Sequence, residues 1–129
     1  MKTTTDRRGI ILLAHGSRDP LWRGPIEAVR AHIQQTQPDL PVRCAYLELC
    51  APSLAAAVQE LAALGVGKAA IVPLFVGAGR HVREDLPRMV RELGQALPHI
   101  QLSLQAPIGE DARMTALMAR IASEAVVPG

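Results

Sequence analysis

The sequence predicts an α/β fold of three layers, in which a four-stranded parallel sheet has helices on both faces. Short aliphatic runs alternate four times with longer segments whose apolar residues recur at helical spacing. Proline and glycine punctuate the boundaries between these segments. Strand-then-helix alternation at this spacing implies parallel strands joined by right-handed crossovers.

The N-terminal half contains the first two strand–helix units. We predict the first strand over residues 10–14 and a first helix that Gly24-Pro25 open, with Pro25 suited to the first turn. The second strand is predicted over residues 42–47, and the second helix begins at Pro52-Ser53 and ends at Gly65. The residues predicted to face inward are Ile26, Val29 and Ile33 in the first helix and Leu54, Val58, Leu61 and Ala62 in the second.

The third strand is predicted over residues 69–76, although it contains Pro73. Proline removes a donor from the hydrogen-bond ladder, so we expect the strand to bend there or to pair on one side only. Asp85-Leu86-Pro87 resembles a cap and first turn of the third helix. The buried face of that helix is predicted to comprise Met89, Val90, Leu93 and Leu97.

The fourth strand is predicted over residues 100–104, where apolar and polar residues alternate. This alternation is typical of an edge strand with one wetter side. The last helix is predicted to start near Glu110, and its inward-facing residues are Met114, Leu117, Met118 and Ile121.

Length and composition limit the possible functions. A chain of 129 residues fits a single domain, and we expect residues 1–8 to form a flexible N-terminus. A net charge of +2 and the single Phe, Tyr and Trp argue against a nucleic-acid partner. No segment approaches the ~20 apolar residues of a membrane span, so no membrane partner is expected. Cys44 and Cys50 fit buried thiols in a reducing cytoplasm, which is the predicted location.

Two histidines follow apolar runs, each with a glycine within two residues, and they suggest a metal site. His15 follows the first predicted strand, and His81 lies in the loop after the third. Parallel strands bring their carboxyl ends to one edge of the sheet, where open α/β folds bind ligands. Glu48 follows the second strand, and imidazole with carboxylate suits Fe(II), Co(II), Ni(II) or Zn(II). The strand-to-helix loops at this edge are residues 15–20, 48–52, 77–85 and 105–109.

Other residues in these loops have two interpretations. Arginine is suited to recognise carboxylates, and an anionic ligand beside the histidines is one interpretation; solvated surface charge is the other. The arginines concerned are Arg18, Arg23, Arg80 and Arg83. Gly16-Ser17 could cradle a phosphate, or Ser17 could act as a nucleophile, but neither a GxSxG elbow nor a P-loop is present. His32 and His99 lie away from this edge and are expected to have no role in the site.

Five segments together resemble the short, single-domain form of the sirohydrochlorin chelatases, in the class II chelatase family. The resemblance covers roughly residues 9–125 in order and spacing, and the family pattern also has a proline at the position of Pro73. The segments are Gly9-Ile-Ile-Leu-Leu-Ala-His-Gly-Ser-Arg-Asp-Pro20, Tyr46-Leu-Glu-Leu49 with Pro52-Ser53-Leu54, Val72-Pro-Leu-Phe75, Gly79-Arg-His-Val-Arg-Glu-Asp-Leu-Pro87 and Pro107-Ile-Gly-Glu-Asp111.

The resemblance implies a flavodoxin-like half that inserts Co(II), Fe(II) or Ni(II) into sirohydrochlorin, on the way to cobalamin or sirohaem. It implies that His15 and His81 bind the metal and are catalytic, and that Glu48 is an acidic residue at the same cleft. It also implies a homodimer. No permanently bound cofactor is expected, since the metal is a substrate.

The substrate's carboxylates would meet residues that we assign by inference rather than by resemblance. These substrate-binding residues are Arg18, Arg80, Arg83 and Ser17. Two alternatives remain: a metal or tetrapyrrole carrier that uses the same site without turnover, and a phosphate-ester hydrolase built on His15-Gly16-Ser17.

Overall fold

The computed structural model describes residues 6–126 and contains one parallel sheet of four strands. Along the sheet the order is β2-β1-β3-β4, so β1 and β3 lie in the centre. The predicted four-stranded parallel sheet is confirmed. The strands are β1 (Arg8–Ala14), β2 (Val42–Tyr46), β3 (Lys68–Pro73) and β4 (Gln101–Leu104).

Helices lie on both faces of the sheet. The connection from β1 to β2 runs in one direction along the sheet and the connections to β3 and β4 run in the other, so right-handed crossovers place α1 opposite α2 and α3. No helix within residues 6–126 is long and apolar enough to cross a membrane. The helices are α1 (Gly24–Thr36), α2 (Leu54–Ala63), α3 (Arg80–Ala96) and α4 (Ala112–Glu124), with short 3-10 helices at Pro20–Arg23 and Ile108–Glu110.

The core has two parts, one on each face of the sheet. Alternate residues of β1 enter different parts, as the two-residue period of a strand requires. Ile11 and Leu13 pack with α2 and α3 in the larger cluster. Leu12 and Ala14 pack on the α1 side in the smaller cluster. Both faces of the central strand are therefore buried, which explains its uninterrupted aliphatic run.

Pro73 ends β3 and pairs on one side only, as its missing donor requires. It lies opposite Leu13 of β1, whereas the pairing of β3 with β4 stops two residues earlier, at Ile71 and Leu104. Leu74 restores the ladder by donating its N–H to the carbonyl of Leu13 at 2.7 Å. The one-sided pairing expected for this proline is confirmed.

The predicted start of the third helix at Asp85 was wrong. Helix α3 begins at Arg80, and Pro87 lies inside it, where it cannot donate to the carbonyl one turn earlier. Asp85 does not cap the helix; its carboxylate accepts from Arg88 Nη2 at 3.2 Å. Burial of Leu86 and Val90 against the sheet outweighs the cost of the proline. His81 therefore lies in the first helical turn and not in a loop.

Helix α4 is exposed, and its predicted inward-facing residues do not all lie inward. Leu117 is 41% exposed and Ile121 is 59% exposed, and no α4 residue belongs to either core cluster. The helix packs chiefly against the 3-10 helix that precedes it. The periodicity identified an apolar stripe correctly, but Leu117 and Ile121 within it are left exposed.

The prediction of a flexible N-terminus over residues 1–8 was wrong for Arg7 and Arg8, which pair with the sheet. Arg8 is the first residue of β1, and the carbonyl of Arg7 accepts from Gly67 and Lys68 at 2.9 and 3.1 Å. Residues 1–5 lie outside the described residues.

Hydrogen bonds join neighbouring loops beyond the carboxyl ends of the strands. Leu47 and Glu48 donate to Ala14 and His15, both at 3.0 Å, and Gly109 donates to the carbonyl of Phe75 at 2.9 Å. Two glycines make the approach possible. A Cβ on Gly16, whose φ is +110°, would lie 1.8 Å from the Glu48 carbonyl oxygen, and a Cβ on Gly109 would lie 1.7 Å from that of Val76.

We expect Gly16→Ala and Gly109→Ala each to lower the free energy of unfolding by about 2 kcal/mol or more, because the backbone must shift to admit a methyl group. Urea unfolding measures this directly. Gly94→Ala is the control, because a Cβ there meets open space within α3 and should stabilise the protein by about 0.5–1 kcal/mol. Equal stability of all three variants would contradict close contact between the loops.

Candidate metal and substrate site

The candidate site lies at the carboxyl ends of β1 and β3, where the connections from the two strands lead in opposite directions along the sheet. From β1 the chain passes to β2 on one side, and from β3 it passes to β4 on the other. In open α/β sheets a crevice forms at such a switch point and binds ligands. His15 follows β1 directly, and the loop after β3 leads to His81 in α3.

The His15 ring stacks on the ring of Phe75. The two ring centroids are 4.4 Å apart and the planes differ by 25°. Phe75 is only 3% exposed, so it forms a fixed support under an exposed imidazole. Phe75 was not predicted as a site residue. The Leu13–Pro73 pairing, continued by two residues, places positions 15 and 75 side by side, and the sequence alone does not show this register.

Both site imidazoles are exposed and free of hydrogen bonds from the part of the chain that the structure describes. His81 follows the N-cap Gly79 by two residues, so its backbone is fixed by the start of α3. A free imidazole nitrogen is what a metal ion requires. The metal site predicted from the sequence therefore has two candidate ligands, His15 and His81, whose ring nitrogens are free of hydrogen bonds to the described residues.

A backbone hydrogen bond holds Glu48 beside His15. Its N–H donates to the His15 carbonyl, and its side chain is exposed. Within residues 6–126, however, no three side chains of His, Cys, Asp or Glu come together as a metal cluster. The structure therefore gives Glu48 a place at this edge without making it a third ligand.

The arginines of the loops are exposed. Arg80 pairs with Glu84 at 3.3 Å, but both side chains are more than half exposed, so the pair contributes about 1 kcal/mol at most. Arg83 donates from Nη1 to the Ala78 carbonyl at 3.5 Å. Arg18 is also exposed at the same edge. All three guanidinium groups can reorient toward an anionic ligand.

Ser17 has a local structural role. Its Oγ accepts from the backbone N–H of Asp19 at 3.1 Å, and Asp19 Oδ1 in turn accepts from Leu21 and caps the first 3-10 helix. The carboxylate of Asp19 thus serves the turn and does not orient His15. This geometry lacks the linked nucleophile, base and orienting group that a serine hydrolase needs.

The remaining histidines are distant from this edge. His32 lies in the second half of α1, which runs back toward the amino ends of the strands, and His99 lies just before β4 begins. Both are exposed. These positions agree with the prediction that His32 and His99 lie away from the site.

Two buried groups near β2 have raised pKa values. Burial raises the pKa of Tyr46 to about 12 and raises the pKa of the Cys44 thiol. Both groups therefore stay protonated at neutral pH. Cys44 and Cys50 are free cysteines; Cys44 is buried as predicted, whereas Cys50 is only partly buried.

Comparison with known proteins gives the family. A family model described as CbiX matches residues 9–125. A sirohydrochlorin cobaltochelatase from Methanosarcina acetivorans is 30% identical and aligns over 95% of this chain and 99% of its own. Another, from Methanopyrus kandleri, is 33% identical over 63% of this chain, and the match spans 57% of that protein's length.

Solved structures share the fold. A chain described as a cobalamin (vitamin B12) biosynthesis CbiX protein from Marinobacter aquaeolei VT8 has a TM-score of 0.75 and 35% identity, over 92% of this chain and 97% of its own. SirB from Bacillus subtilis, with Fe3+, has a TM-score of 0.76 and 23% identity, over 95% of this chain but 48% of its own.

The second likeness concerns the fold alone, whereas the family match extends through all four strand–helix units. The chain belongs to the CbiX family.

Proposed function

We propose that this protein inserts a divalent metal ion into sirohydrochlorin, and that Co(II) is its principal metal substrate. The observation that carries the proposal is the pair of exposed, unpartnered imidazoles at the switch point of the sheet, within the described residues. The names of the relatives, sirohydrochlorin cobaltochelatases, supply the substrate and favour cobalt. Insertion of Fe(II) or Ni(II) is part of the same proposal, since imidazole also binds these metals.

The small number of protein ligands suits metal transfer. A closed site with four protein ligands holds a metal permanently, whereas a site with few ligands leaves positions open for water and substrate. His15 and His81 would bind the incoming ion through two imidazoles and release it to the four nitrogens of the macrocycle. The absence of a three-residue metal cluster within residues 6–126 agrees with such an exchangeable site.

Insertion also requires a base, because the macrocycle loses two N–H protons when it binds the metal. An imidazole nitrogen that has released the metal ion to the macrocycle is free to accept one of these protons. Glu48 is joined to His15 by a backbone hydrogen bond and its carboxylate is exposed to solvent, so it can pass protons onward. We assign proton removal to His15 and Glu48.

The rim of sirohydrochlorin carries eight carboxylates, and the loops offer matching charge. Arg18, Arg80 and Arg83 are exposed at the histidine edge, and guanidinium groups bind carboxylates through two parallel hydrogen bonds. The Ser17 hydroxyl still has a proton to donate after it accepts from Asp19. We propose that these four residues bind the carboxylates of the substrate.

We further propose that the protein is a homodimer in which the apolar face of α4 contacts the second copy. Leu117 and Ile121 are exposed on that helix, and a second copy is the simplest cover for them. SirB is about twice as long as the region it shares with this chain, because the match covers only 48% of it. A homodimer of this chain would therefore have about the same total length as one SirB chain.

His15→Ala and His81→Ala should each slow cobalt insertion by about 100-fold or more, because each removes a metal ligand or base. The measurement is an anaerobic absorbance assay of sirohydrochlorin with Co(II), repeated with Fe(II) and Ni(II). The matched controls are His32→Ala and His99→Ala, which should retain the wild-type rate. Wild-type rates in the two site variants would refute the assignment, and binding without acceleration by the wild type would favour a carrier.

Glu48→Gln should lower kcat by about tenfold or more while KM for sirohydrochlorin changes little, since the substitution removes a proton acceptor and keeps the shape. Glu110→Gln is the matched control, because Glu110 is another exposed carboxylate, in the 3-10 helix that follows β4. If kcat is the same in both variants and the wild type, Glu48 is only a solvated surface residue.

Ile121→Lys combined with Leu117→Lys should convert a dimer into a monomer, because charged side chains would be buried at the interface. Sedimentation velocity distinguishes the two states. Leu64→Lys is the control, since Leu64 is 42% exposed at the end of α2 and should leave the dimer intact. A wild-type protein that sediments as a monomer at all concentrations would overturn the proposal.

A further inference from the structure

Large apolar side chains are exposed at the same edge as His15. Two of them lie directly beside the strand that carries His15: Leu49, which follows β2 and is 49% exposed, and Val76, which follows β3 and is 70% exposed. Exposed apolar groups concentrated at a ligand-binding edge indicate an apolar partner. What makes these two unusual is the backbone that holds each of them.

Leu49 has a backbone conformation that favours glycine. Its φ is +69°, the only positive φ at a non-glycine residue in the part of the chain described here. Neighbouring hydrogen bonds enforce it: Glu48 donates to His15 at 3.0 Å, and Cys50 donates to Glu48 at 2.9 Å. Glycine would adopt this turn without strain, and the leucine side chain is not used in the core. Folding alone therefore does not explain the presence of leucine.

Val76 is exposed on a backbone that cannot easily move. Gly109 packs so closely against its peptide group that a Cβ on that glycine would lie 1.7 Å from the Val76 oxygen. The preceding residue, Phe75, accepts from Gly109 at 2.9 Å and supports the His15 ring. Val76 is thus an apolar side chain held in solvent by a rigid loop.

The order of the strands places the three residues in adjacent loops. Leu49 follows β2, His15 follows β1 and Val76 follows β3, and β1 lies between β2 and β3 in the sheet. The loop with the proposed metal ligand therefore has a loop with an exposed apolar side chain on each side. This arrangement complements a flat ring whose metal-binding nitrogens are central and whose carbon skeleton surrounds them.

We propose that Leu49 and Val76 are substrate-binding residues, which contact the carbon skeleton of the tetrapyrrole on either side of His15. The inference rests on the proposed function and adds its specificity: the two apolar contacts orient the ring over the imidazole, while the exposed arginines meet the carboxylates. Removing either side chain weakens the binding of metal-free sirohydrochlorin. Because Leu49 is strained, its removal does not weaken the fold.

The test uses the full-length protein with metal-free sirohydrochlorin, titrated by quenching of the fluorescence of Trp22, the only tryptophan in the sequence, which lies in the 3-10 helix after β1. Leu49→Gly and Val76→Thr should each raise Kd about tenfold, the change expected for losing one buried aliphatic contact. The thermal midpoint of Leu49→Gly should equal or exceed that of the wild type. The control is Leu64→Gly at the far edge, which should leave Kd unchanged.

The outcomes separate the two proposals. If the wild type neither binds sirohydrochlorin nor accelerates metal insertion, the proposed function fails and this inference fails with it. If the wild type does both while Leu49→Gly and Val76→Thr bind within about twofold of it, only this inference is overturned. If the Leu49→Gly variant binds sirohydrochlorin normally but sediments as a monomer, the leucine side chain belongs to the dimer interface. That result would also overturn this inference. Leu49→Asn, which tolerates a positive φ, should repeat the glycine result.

Discussion

Parallel pairing of β1 with both of its neighbours is the constraint on which the candidate site depends. β1 bonds to β2 and β3 along its length, and the bonding continues past Ala14 into the loops. In this continuation the N–H of Glu48 binds the carbonyl of His15. The imidazole ring of His15 stacks on the ring of Phe75. A side chain at the end of an unpaired strand would lack both supports.

The same pairing divides the edge into rigid and adaptable parts. Backbone bonds and glycine contacts hold the loops that carry His15, Leu49 and Val76, so these groups are preorganised for a ligand of fixed shape. The arginines lie outside this part, on long exposed side chains with weak ion pairs. This combination suits the proposed substrate, a rigid macrocycle with flexible carboxylate arms, because fixed groups would lie under the ring and mobile charges around it.

Much of this architecture could be predicted from the sequence, because hydrophobic period and proline chemistry are local signals. The parallel sheet, the one-sided pairing of Pro73 and the exposed edge strand β4 all followed from them. The start of α3 could not be predicted, because tertiary burial of Leu86 and Val90 outweighs the local preference of Pro87. Phe75 and Leu49 acquire their roles from pairing between distant segments, and α4 shows an apolar stripe without showing what covers it.

The central proposal is that His15, which follows β1, and His81, in the first turn of α3, bind one metal ion. A crystal of the protein soaked with Co(II) and measured at the cobalt absorption edge tests it most directly, because the anomalous signal locates cobalt independently of the phases of the protein. The account predicts a peak within bonding distance of an imidazole nitrogen of both His15 and His81. Cobalt bound to only one of these histidines, or only elsewhere on the protein, would contradict it.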